Sequence, residues 1–405
     1  SDPDGDKLTY HWTLTAPVES NAILSDDTDP KPSFTADIID GEYLAELVVN
    51  DGTVDSQADS VKIAVKPHYK NKVAFIGGSI TAGASASSYE KSWAGLLTTW
   101  LNEYYEAGID AKNIAMGGTT SEYGTFRLLR DLNGFIPDIA FIEYVMNDPA
   151  QQDFIYTFVD AIIKKLRTMN PRVNIIYVAT TGFYHQSSIS KGDEPDGVKF
   201  AREISSLNDI HFVNVGQKLW ETIMAENVSY TRYLPDGIHP NDDGYEIYYE
   251  TLVEDLGSYL SSGIEIYKTD SYLQGSGYAN AAIEPIGNIK NTDCTMQDNY
   301  LVCTTGQSFT FDFDGNYLGF EVKIASDGGQ LTCTLDWENS VFVDFWDSYA
   351  LSYDRKSSIR LFANIYSSSH SIECIANDVI LSNPNGSSLG QTTYISGILV
   401  NEPEQ

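Results

Sequence analysis

The sequence has little positive charge. It contains 25 Lys and Arg residues against 57 Asp and Glu residues, which gives a formal net charge of −32. Binding to nucleic acid or to an anionic membrane surface depends on clustered positive charge. The composition therefore argues against both partners and fits a protein that meets neutral or cationic molecules, although a well-solvated surface alone also explains it.

Long apolar runs are missing as well. No run reaches the roughly 18–20 residues that a membrane-spanning helix needs, so we expect no membrane span. An apolar fraction of 42% with 12% aromatic residues is typical of a globular protein. The 405 residues leave room for two or three domains.

Cysteine is scarce and confined to the last third of the chain, at Cys294, Cys303, Cys333 and Cys374. No CxxC spacing occurs, which argues against a zinc site. An even number in one β-rich region predicts two disulfides and an oxidising compartment, with four buried thiols as the alternative. Of the three possible pairings we favour Cys294 with Cys303 and Cys333 with Cys374, because the first two are close enough to share a hairpin.

Residues 1–68 have the alternating pattern of a small β-sandwich. Apolar and polar residues alternate over 8–14, 43–49 and 61–65, with turn-forming residues between them. The stretches 2–12, 41–43 and 49–52 resemble the PKD and related immunoglobulin-like repeats of bacterial extracellular proteins. The usual first strand is missing from this region. We therefore expect a truncated module, and a chain that is part of a longer secreted protein with further domains.

One cofactor site is conceivable in this module. Asp2, Asp4 and Asp6 stand at alternate positions and could ligate calcium through oxygen. A solvated turn is the other interpretation of this run.

Residues 69–262 alternate between strand and helix patterns. Near-continuous apolar strands separated by helices predict a parallel five-stranded sheet covered on both faces, in a flavodoxin-like three-layer α/β sandwich. Strands are expected at 73–76, 111–116, 138–145, 174–179 and 210–215, and helices at 93–105, 122–133, 153–169, 198–207 and 242–260.

Residues 263–405 return to short strands with Gly and Asn turns, which predicts a jelly-roll-like β-sandwich. Strands are expected at 300–303, 308–313, 318–322, 331–335, 357–363 and 371–375. An aromatic group in this region is either a platform for stacking sugars or ordinary packing; it comprises Trp337, Phe342, Phe345, Trp346 and Tyr349.

Polar residues that suit nucleophilic catalysis follow the predicted parallel strands. Ser79 ends a Gly-Gly-Ser turn after the first strand, and Asp236 and His239 stand three residues apart after the last. Strand ends of a parallel sheet meet at one edge, so these groups can converge. A serine nucleophile needs an adjacent base and a third group that orients the base.

Four stretches in this region resemble, in chain order, the motif blocks of the SGNH (GDSL) hydrolase superfamily of esterases and lipases. They are IGGSIT at 76–81, NIAMGGTT at 113–120, YVMND at 144–148 and DGIHPN at 236–241. The resemblance covers about residues 70–262. It implies that Ser79 is the nucleophile, that His239 is the general base and that Asp236 orients His239.

The resemblance also implies an oxyanion hole. Its donors would be the backbone N–H groups of Ser79 and Gly118 and the side-chain amide of Asn147, with Gly117 as the neighbouring alternative to Gly118. Such donors each stabilise the tetrahedral intermediate by about 3–4 kcal/mol. The family commonly has Asp where Gly78 stands, and a carbohydrate-active branch has glycine there. It also often has glycine at the position of Val145.

Each of these residues also has an ordinary structural explanation. His239 could bond to backbone in its loop, while Asp236 and Asn147 could cap helices. Their joint occurrence in order favours catalysis. Tyr184 and His185, in the loop after the fourth strand, are expected to line the acyl or sugar pocket.

We therefore expect a bacterial serine esterase, secreted and possibly held at a cell surface or in an enzyme complex, that removes O-acetyl groups from a polysaccharide such as acetylated xylan. The flanking β-modules and the lack of a long apolar lid favour this substrate class, and the chemistry requires no cofactor. One alternative is a lipase, lysophospholipase or thioesterase of the same superfamily. Another is a non-catalytic carbohydrate-binding or adhesion protein that keeps the fold as a scaffold.

Overall fold

The computed structural model describes residues 7–18, 20–36, 41–65, 72–105, 108–261, 277–289 and 291–401. The chain divides into two compact units, Ser1–Lys70 and Asn71–Gln405. The candidate calcium ligands Asp2, Asp4 and Asp6 lie outside the described residues.

The first unit contains one antiparallel sheet of three strands, in the order β1-β2-β3. The strands are β1 (Thr9–Thr15), β2 (Gly41–Asn50) and β3 (Asp59–Val65). Tyr43 and Ala45 are buried on one face of β2, and the Tyr43 ring packs against Phe34. The antiparallel sheet agrees with the predicted β-region, while the second sheet of a sandwich and the PKD-like relationship stay predictions.

The second unit begins with a three-layer α/β region. Its elements are β4 (Lys72–Gly77), α1 (Trp93–Tyr105), β5 (Asp110–Asn113), α2 (Ser121–Leu132), β6 (Ile139–Glu143), α3 (Gln152–Met169), β7 (Asn174–Val178), α4 (Gln186–Ile189), α5 (Asp196–Leu207), β8 (His211–Val213), α6 (Val215–Glu226) and α7 (Asp242–Ser261). The five strands are all parallel and lie in the order β5-β4-β6-β7-β8. This confirms the predicted flavodoxin-like sheet.

Helices cover both faces of this sheet, which explains why its strands are apolar throughout. Val73 and Phe75 face α1, α6 and α7, whereas Ala74 and Ile76 face α2, α3 and α5. Every residue of β6 and β7 is buried. The order of strands reverses between β4 and β6, and ligands of such sheets bind outside the strand ends at this point.

Helix α6 was not predicted from the sequence. The strand expected at 210–215 ends at Val213, because Asn214 caps a new helix by accepting a 2.9 Å hydrogen bond from the N–H of Gln217. Apolar residues at Val215, Leu219 and Ile223 have helical spacing and are buried against the sheet. The helical spacing was therefore present in the sequence, but its first residue had been assigned to the preceding strand.

The C-terminal part of the second unit is antiparallel. Its strands are β9 (Ala282–Pro285), β10 (Asn291–Thr292), β11 (Thr295–Gln297), β12 (Tyr300–Cys303), β13 (Ser308–Ile324), β14 (Gln330–Leu335), β15 (Asn339–Asp344), β16 (Arg355–Ala376), β17 (Ser382–Asn383), β18 (Gly386–Ser387) and β19 (Thr393–Asn401). Nine of them join in one sheet along the path β11-β12-β19-β13-β16-β14-β15, while β10 pairs with β13, β9 with β19, and β17 with β18.

Two long strands organise this sheet. The strands predicted at 308–313 and 318–322 are one strand, β13, and those predicted at 357–363 and 371–375 are one strand, β16. Along β13 the core residues change from Phe309 and Phe311 to Leu318 and Phe320, that is, from odd to even positions. A register shift between Gly315 and Tyr317 makes this change possible, since a regular strand keeps one parity on each face.

Both predicted disulfides are present. Cys294 pairs with Cys303, and Cys333 on β14 pairs with Cys374 on β16. The described part of the chain contains no free cysteine. The predicted pairing is confirmed.

Helix α2 joins the α/β region to the C-terminal sheet through buried polar contacts. The Tyr123 hydroxyl and the Arg130 guanidinium both donate to Glu321 on β13, while Glu122 accepts hydrogen bonds from Tyr317 and Arg360. Burial works to raise the pKa of Glu321, but the hydrogen bonds that it accepts hold that pKa below its usual range. These contacts make the two regions one compact unit.

We expect Glu321→Ala to lower the free energy of unfolding by about 3 kcal/mol, because it leaves the buried Tyr123 hydroxyl without its acceptor and removes the counter-ion of Arg130. Glu338→Ala removes an exposed carboxylate from the same region and should change stability by less than about 0.5 kcal/mol. Urea unfolding followed by tryptophan fluorescence compares the two variants. Equal losses would show that the Glu321 contacts do not stabilise the unit.

Candidate active site

The turn after β4 presents Ser79 at the edge of the sheet. The residues of β4 from Val73 to Gly77 are buried, whereas Ser79 is partly exposed. The N–H of Ala84 donates to the Ser79 carbonyl at 2.9 Å, which closes the turn. A Cβ on Gly77 would lie 2.4 Å from Thr81 Oγ1, so only glycine lets the turn fold back this tightly.

The structure brings Ser79, His239 and Asp236 into one hydrogen-bonded chain. His239 Nε2 lies 2.7 Å from Ser79 Oγ, and His239 Nδ1 lies 2.6 Å from Asp236 Oδ2. Ser79 and His239 are 160 positions apart in the sequence, so only the fold can produce this contact. The order nucleophile, base and carboxylate is the arrangement that activates a serine hydroxyl.

Hydrogen bonds within its own loop hold the Asp236 carboxylate in place. Its Oδ1 accepts hydrogen bonds from the N–H groups of Ile238 at 2.9 Å and His239 at 2.8 Å. Partial burial works to raise the pKa of Asp236, but these bonds and the His239 ring hold it below its usual range. Asp236 therefore stays ionised at neutral pH and favours the tautomer of His239 that leaves Nε2 free to accept the Ser79 proton.

Asn147 lies beside the turn that carries Ser79, and its position explains why residue 78 is glycine. A Cβ on Gly78 would lie 2.1 Å from Asn147 Oδ1, closer than any real contact. The aspartate that the family commonly has at this position could not be accommodated unless Asn147 moved. Gly78 therefore leaves the space that the Asn147 amide occupies beside this turn.

Gly117 and Gly118 complete this side of the site. A Cβ on Gly117 would lie 3.5 Å from the Ser79 Cβ, and Gly118 has a positive φ of 71° that favours glycine. Both therefore belong to the loop that faces Ser79, and the choice of Gly118 as the oxyanion donor stays a prediction.

Asp148 ties the asparagine segment to this glycine loop. It is buried, and its Oδ1 accepts a 2.7 Å hydrogen bond from the N–H of Ser121, the first residue of α2. Burial raises the pKa of Asp148 to about 7, against the effect of its hydrogen bonds with Ser121. The motifs did not predict this contact, because Asp148 and the N-terminus of α2 are 27 positions apart in the chain.

The two residues predicted to line the pocket, Tyr184 and His185, differ in exposure and in orientation. Tyr184 is exposed and its ring lies 3.9 Å from that of Phe183, which in turn stacks on Tyr230. The N–H of Phe183 donates to the Gly237 carbonyl at 2.7 Å, which places these rings beside the Asp236–His239 loop. His185 points inward to Thr181 Oγ1, 3.1 Å away, and burial lowers its pKa.

The C-terminal region also reaches this edge of the sheet. A Cβ on Gly118 would lie 3.9 Å from Nε of Arg355, the first residue of β16. Arg355 forms a two-point ion pair with Asp347, whose pKa falls below its usual range because this pairing outweighs the effect of burial. The sequence motifs did not predict this arginine, because it is distant from all four of them.

The aromatic group of the C-terminal region divides in two. Phe345 and Trp346 are buried in its core, whereas Trp337, Phe342 and Tyr349 are exposed. In the described part of the chain, no three His, Cys, Asp or Glu side chains are grouped so that they could hold a metal ion. None of the helices within the described ranges is long and apolar enough to cross a membrane.

Residues 75–247 match the model of the GDSL-like lipase/acylhydrolase family. This match confirms the resemblance that the four sequence motifs indicated, and it identifies the α/β region as that of a serine ester hydrolase. No curated protein matches the sequence significantly.

Solved structures extend the similarity beyond the α/β region. A two-domain esterase (CEX) active on acetylated mannans, co-crystallised with mannopentaose, matches with a TM-score of 0.67 and 18% identity, over 82% of this chain and 91% of that chain. The same esterase without that ligand gives a TM-score of 0.68. An acetylxylan esterase from Geobacillus stearothermophilus matches 46% of this chain and 94% of its own, with 18% identity and a TM-score of 0.37.

Gly78→Ala is expected to lower kcat on p-nitrophenyl acetate about 100-fold with little change in KM, because the new Cβ displaces the Asn147 amide from the site of the developing oxyanion. Gly257→Ala is the matched control, since a Cβ there meets no atom within 4 Å. Initial rates for both variants test the expectation, and a wild-type kcat for Gly78→Ala would contradict the role given to Asn147.

Proposed function

We propose that this protein is a secreted polysaccharide acetylesterase that transfers the acetyl group to Ser79 and then to water. The observation that carries the proposal is the chain of hydrogen bonds from Ser79 through His239 to Asp236 at the edge of a GDSL-type sheet. The two disulfides support an oxidising compartment. The similar two-domain esterase supports an acetylated polysaccharide as the substrate.

The first half of the reaction forms an acetyl-enzyme. Ser79 Oγ attacks the acetyl carbonyl carbon while His239 Nε2 takes its proton, and Asp236 stabilises the imidazolium that results. The negative oxygen of the tetrahedral intermediate is stabilised by the N–H groups of Ser79 and the glycine loop and by the Asn147 amide. The bond to the sugar oxygen then breaks, and His239 returns its proton to that oxygen.

The second half releases acetate. Water enters from the side of His239, which takes one proton from it as the oxygen attacks the acetyl carbon. The second tetrahedral intermediate collapses, Ser79 Oγ leaves with the proton from His239, and acetic acid departs and loses its remaining proton to the solvent. The proton transfers at the acyl centre are carried out by His239.

Two groups of residues flank the triad and suit a sugar chain. Phe183, Tyr184 and Tyr230 offer ring faces beside the Asp236–His239 loop, where the leaving sugar must depart. Arg355 and Asp347 offer charged hydrogen-bonding groups on the other side, beyond Gly118. Sugars bind through both ring stacking and polar contacts, whereas a long acyl chain needs an extended apolar channel.

We expect the wild-type protein to release acetate from acetylated mannan or acetylated xylan, and Ser79→Ala to lose this activity by at least about 10⁴-fold. Acetate release measured by an enzyme-coupled assay tests the expectation on both polymers. Preference for long-chain over acetyl p-nitrophenyl esters would favour the lipase alternative. Polymer binding without turnover of any ester would favour a non-catalytic protein.

Arg355→Ala is expected to raise KM for the acetylated polymer about tenfold and to leave kcat/KM on p-nitrophenyl acetate nearly unchanged, because a charged hydrogen bond to the sugar is lost while the triad is untouched. Arg202→Ala is the control, since Arg202 forms a comparable pair with Glu194 on the surface of α5. Equal effects of Arg355→Ala on both substrates would contradict a sugar-binding role.

A further inference from the structure

Glu143 is an unusual residue in the core of the α/β region. It ends strand β6, its side chain is fully buried, and its neighbours on the strand are apolar. Among the described residues no Lys, Arg or His forms an ion pair with it. Burying a carboxyl group without such a partner costs several kcal/mol unless hydrogen bonds satisfy it.

One oxygen of the Glu143 carboxyl group accepts a hydrogen bond from the turn that carries Ser79. Glu143 Oε2 accepts from Thr81 Oγ1 at 2.8 Å, and the backbone N–H groups of Gly78 and Thr81 lie close enough to the carboxyl group to lower its pKa. Gly78 and Thr81 flank Ser79 on both sides. The carboxyl group is therefore hydrogen-bonded to the turn of Ser79 at Thr81 and lies near backbone N–H groups on either side of Ser79.

The other carboxyl oxygen accepts a hydrogen bond from the segment that follows the adjacent strand, β7. Glu143 Oε1 accepts from Thr180 Oγ1 at 2.9 Å, just after the end of β7. The next residue, Thr181, accepts a 2.8 Å hydrogen bond from Trp220 Nε1 and contacts His185. Glu143 thus connects the turn of Ser79 to a rigid segment of the core.

We infer that Glu143 is a positioning residue. It fixes the position of the turn that carries Ser79 relative to Asn147, which follows Glu143 by four residues, and relative to the segment at Thr180. This inference rests on the proposed role of Ser79 as the nucleophile. Burial raises the pKa of Glu143, although its hydrogen bonds oppose the effect. Glutamine is a close replacement in shape: its amide oxygen can accept from Thr81 Oγ1 while its amide nitrogen donates to Thr180 Oγ1, because a hydroxyl oxygen can also accept.

Four variants test the inference. Thr81→Val and Thr180→Val each remove one hydroxyl that donates to Glu143 and keep the side-chain volume. Glu143→Gln keeps the shape of the group. Thr125→Val is the matched control, because Thr125 is equally buried but donates to the carbonyls of Ser121 and Phe158.

Three quantities are measured for each variant: kcat and KM on p-nitrophenyl acetate, the rate constant for labelling of Ser79 by a fluorophosphonate, and the melting temperature. We expect Thr81→Val and Thr180→Val to lower kcat and the labelling rate constant together by about 10-fold to 100-fold at nearly constant KM, since a small misplacement of a reacting atom has effects of this size. Glu143→Gln should stay within about threefold of the wild type, and Thr125→Val should lower only the melting temperature.

Several results would overturn the inference. Wild-type kcat and labelling in both Thr81→Val and Thr180→Val would leave Glu143 as an ordinary core group, whatever the melting temperatures. A fall in kcat without a fall in labelling would show that Ser79 itself is correctly placed. Failure of the wild-type protein to cleave the ester or to take the label would instead refute the proposed function.

Discussion

The site depends on the meeting of parallel strand ends at one edge of the central sheet. Strands β4 and β6 are neighbours, so the turn after β4 and the segment after β6 must approach each other. Asn147 occupies the space next to Gly78 that a side chain at position 78 would fill, so glycine is what makes this packing possible. The loop that carries Asp236 and His239 then closes over Ser79 from the other side. Ser79, Asn147 and the Asp236–His239 pair are carried by three different segments, which the packing of the sheet brings together.

Helix α2 gives the C-terminal sheet a part in this arrangement. The loop before α2 contains Gly117 and Gly118. The first residue of α2, Ser121, donates a hydrogen bond to Asp148, which is next to Asn147 in the sequence. The outer face of α2 packs against β13 and β16 through Glu321 and Arg360. The C-terminal region therefore contacts α2, the helix that follows the glycine loop, and places Arg355 close to Gly118. Under the proposed function, this sheet is in a position to contribute to the binding of a long substrate.

The sequence was most informative where local residues determine the result. The apolar strands of the α/β region, the helices between them and the short motifs at strand ends all follow local patterns, and the family match confirms the resemblance. The disulfide pairing was predictable because Cys294 and Cys303 are close in sequence, which leaves one partner each for Cys333 and Cys374. The hydrogen bonds of the triad are those that the motifs implied, while the catalytic roles of its residues stay proposals.

Contacts between distant segments were not predictable in the same way. The need for glycine at 78 follows only from the position of Asn147, and the place of Arg355 follows from the packing of a whole sheet. Strand β13 continues through a register shift near Gly315, where the side of the strand that faces the core changes. The alternation of apolar and polar residues is interrupted there, so the local pattern predicted two strands. The partners of Glu143 likewise come from two other strand ends, those of β4 and β7, and a single glutamate in an apolar strand indicates only that partners must exist.

The most direct test of the account is to trap the acetyl-enzyme. The protein is mixed with p-nitrophenyl acetate and quenched in acid within milliseconds. It is then digested, and the peptide masses are measured by mass spectrometry. We predict one acetyl group per chain on the peptide that contains Ser79, formed more slowly in Asp236→Asn and absent in Ser79→Ala. Acetylation at another residue, or turnover in the wild type without acetylation of Ser79, would contradict the proposed mechanism.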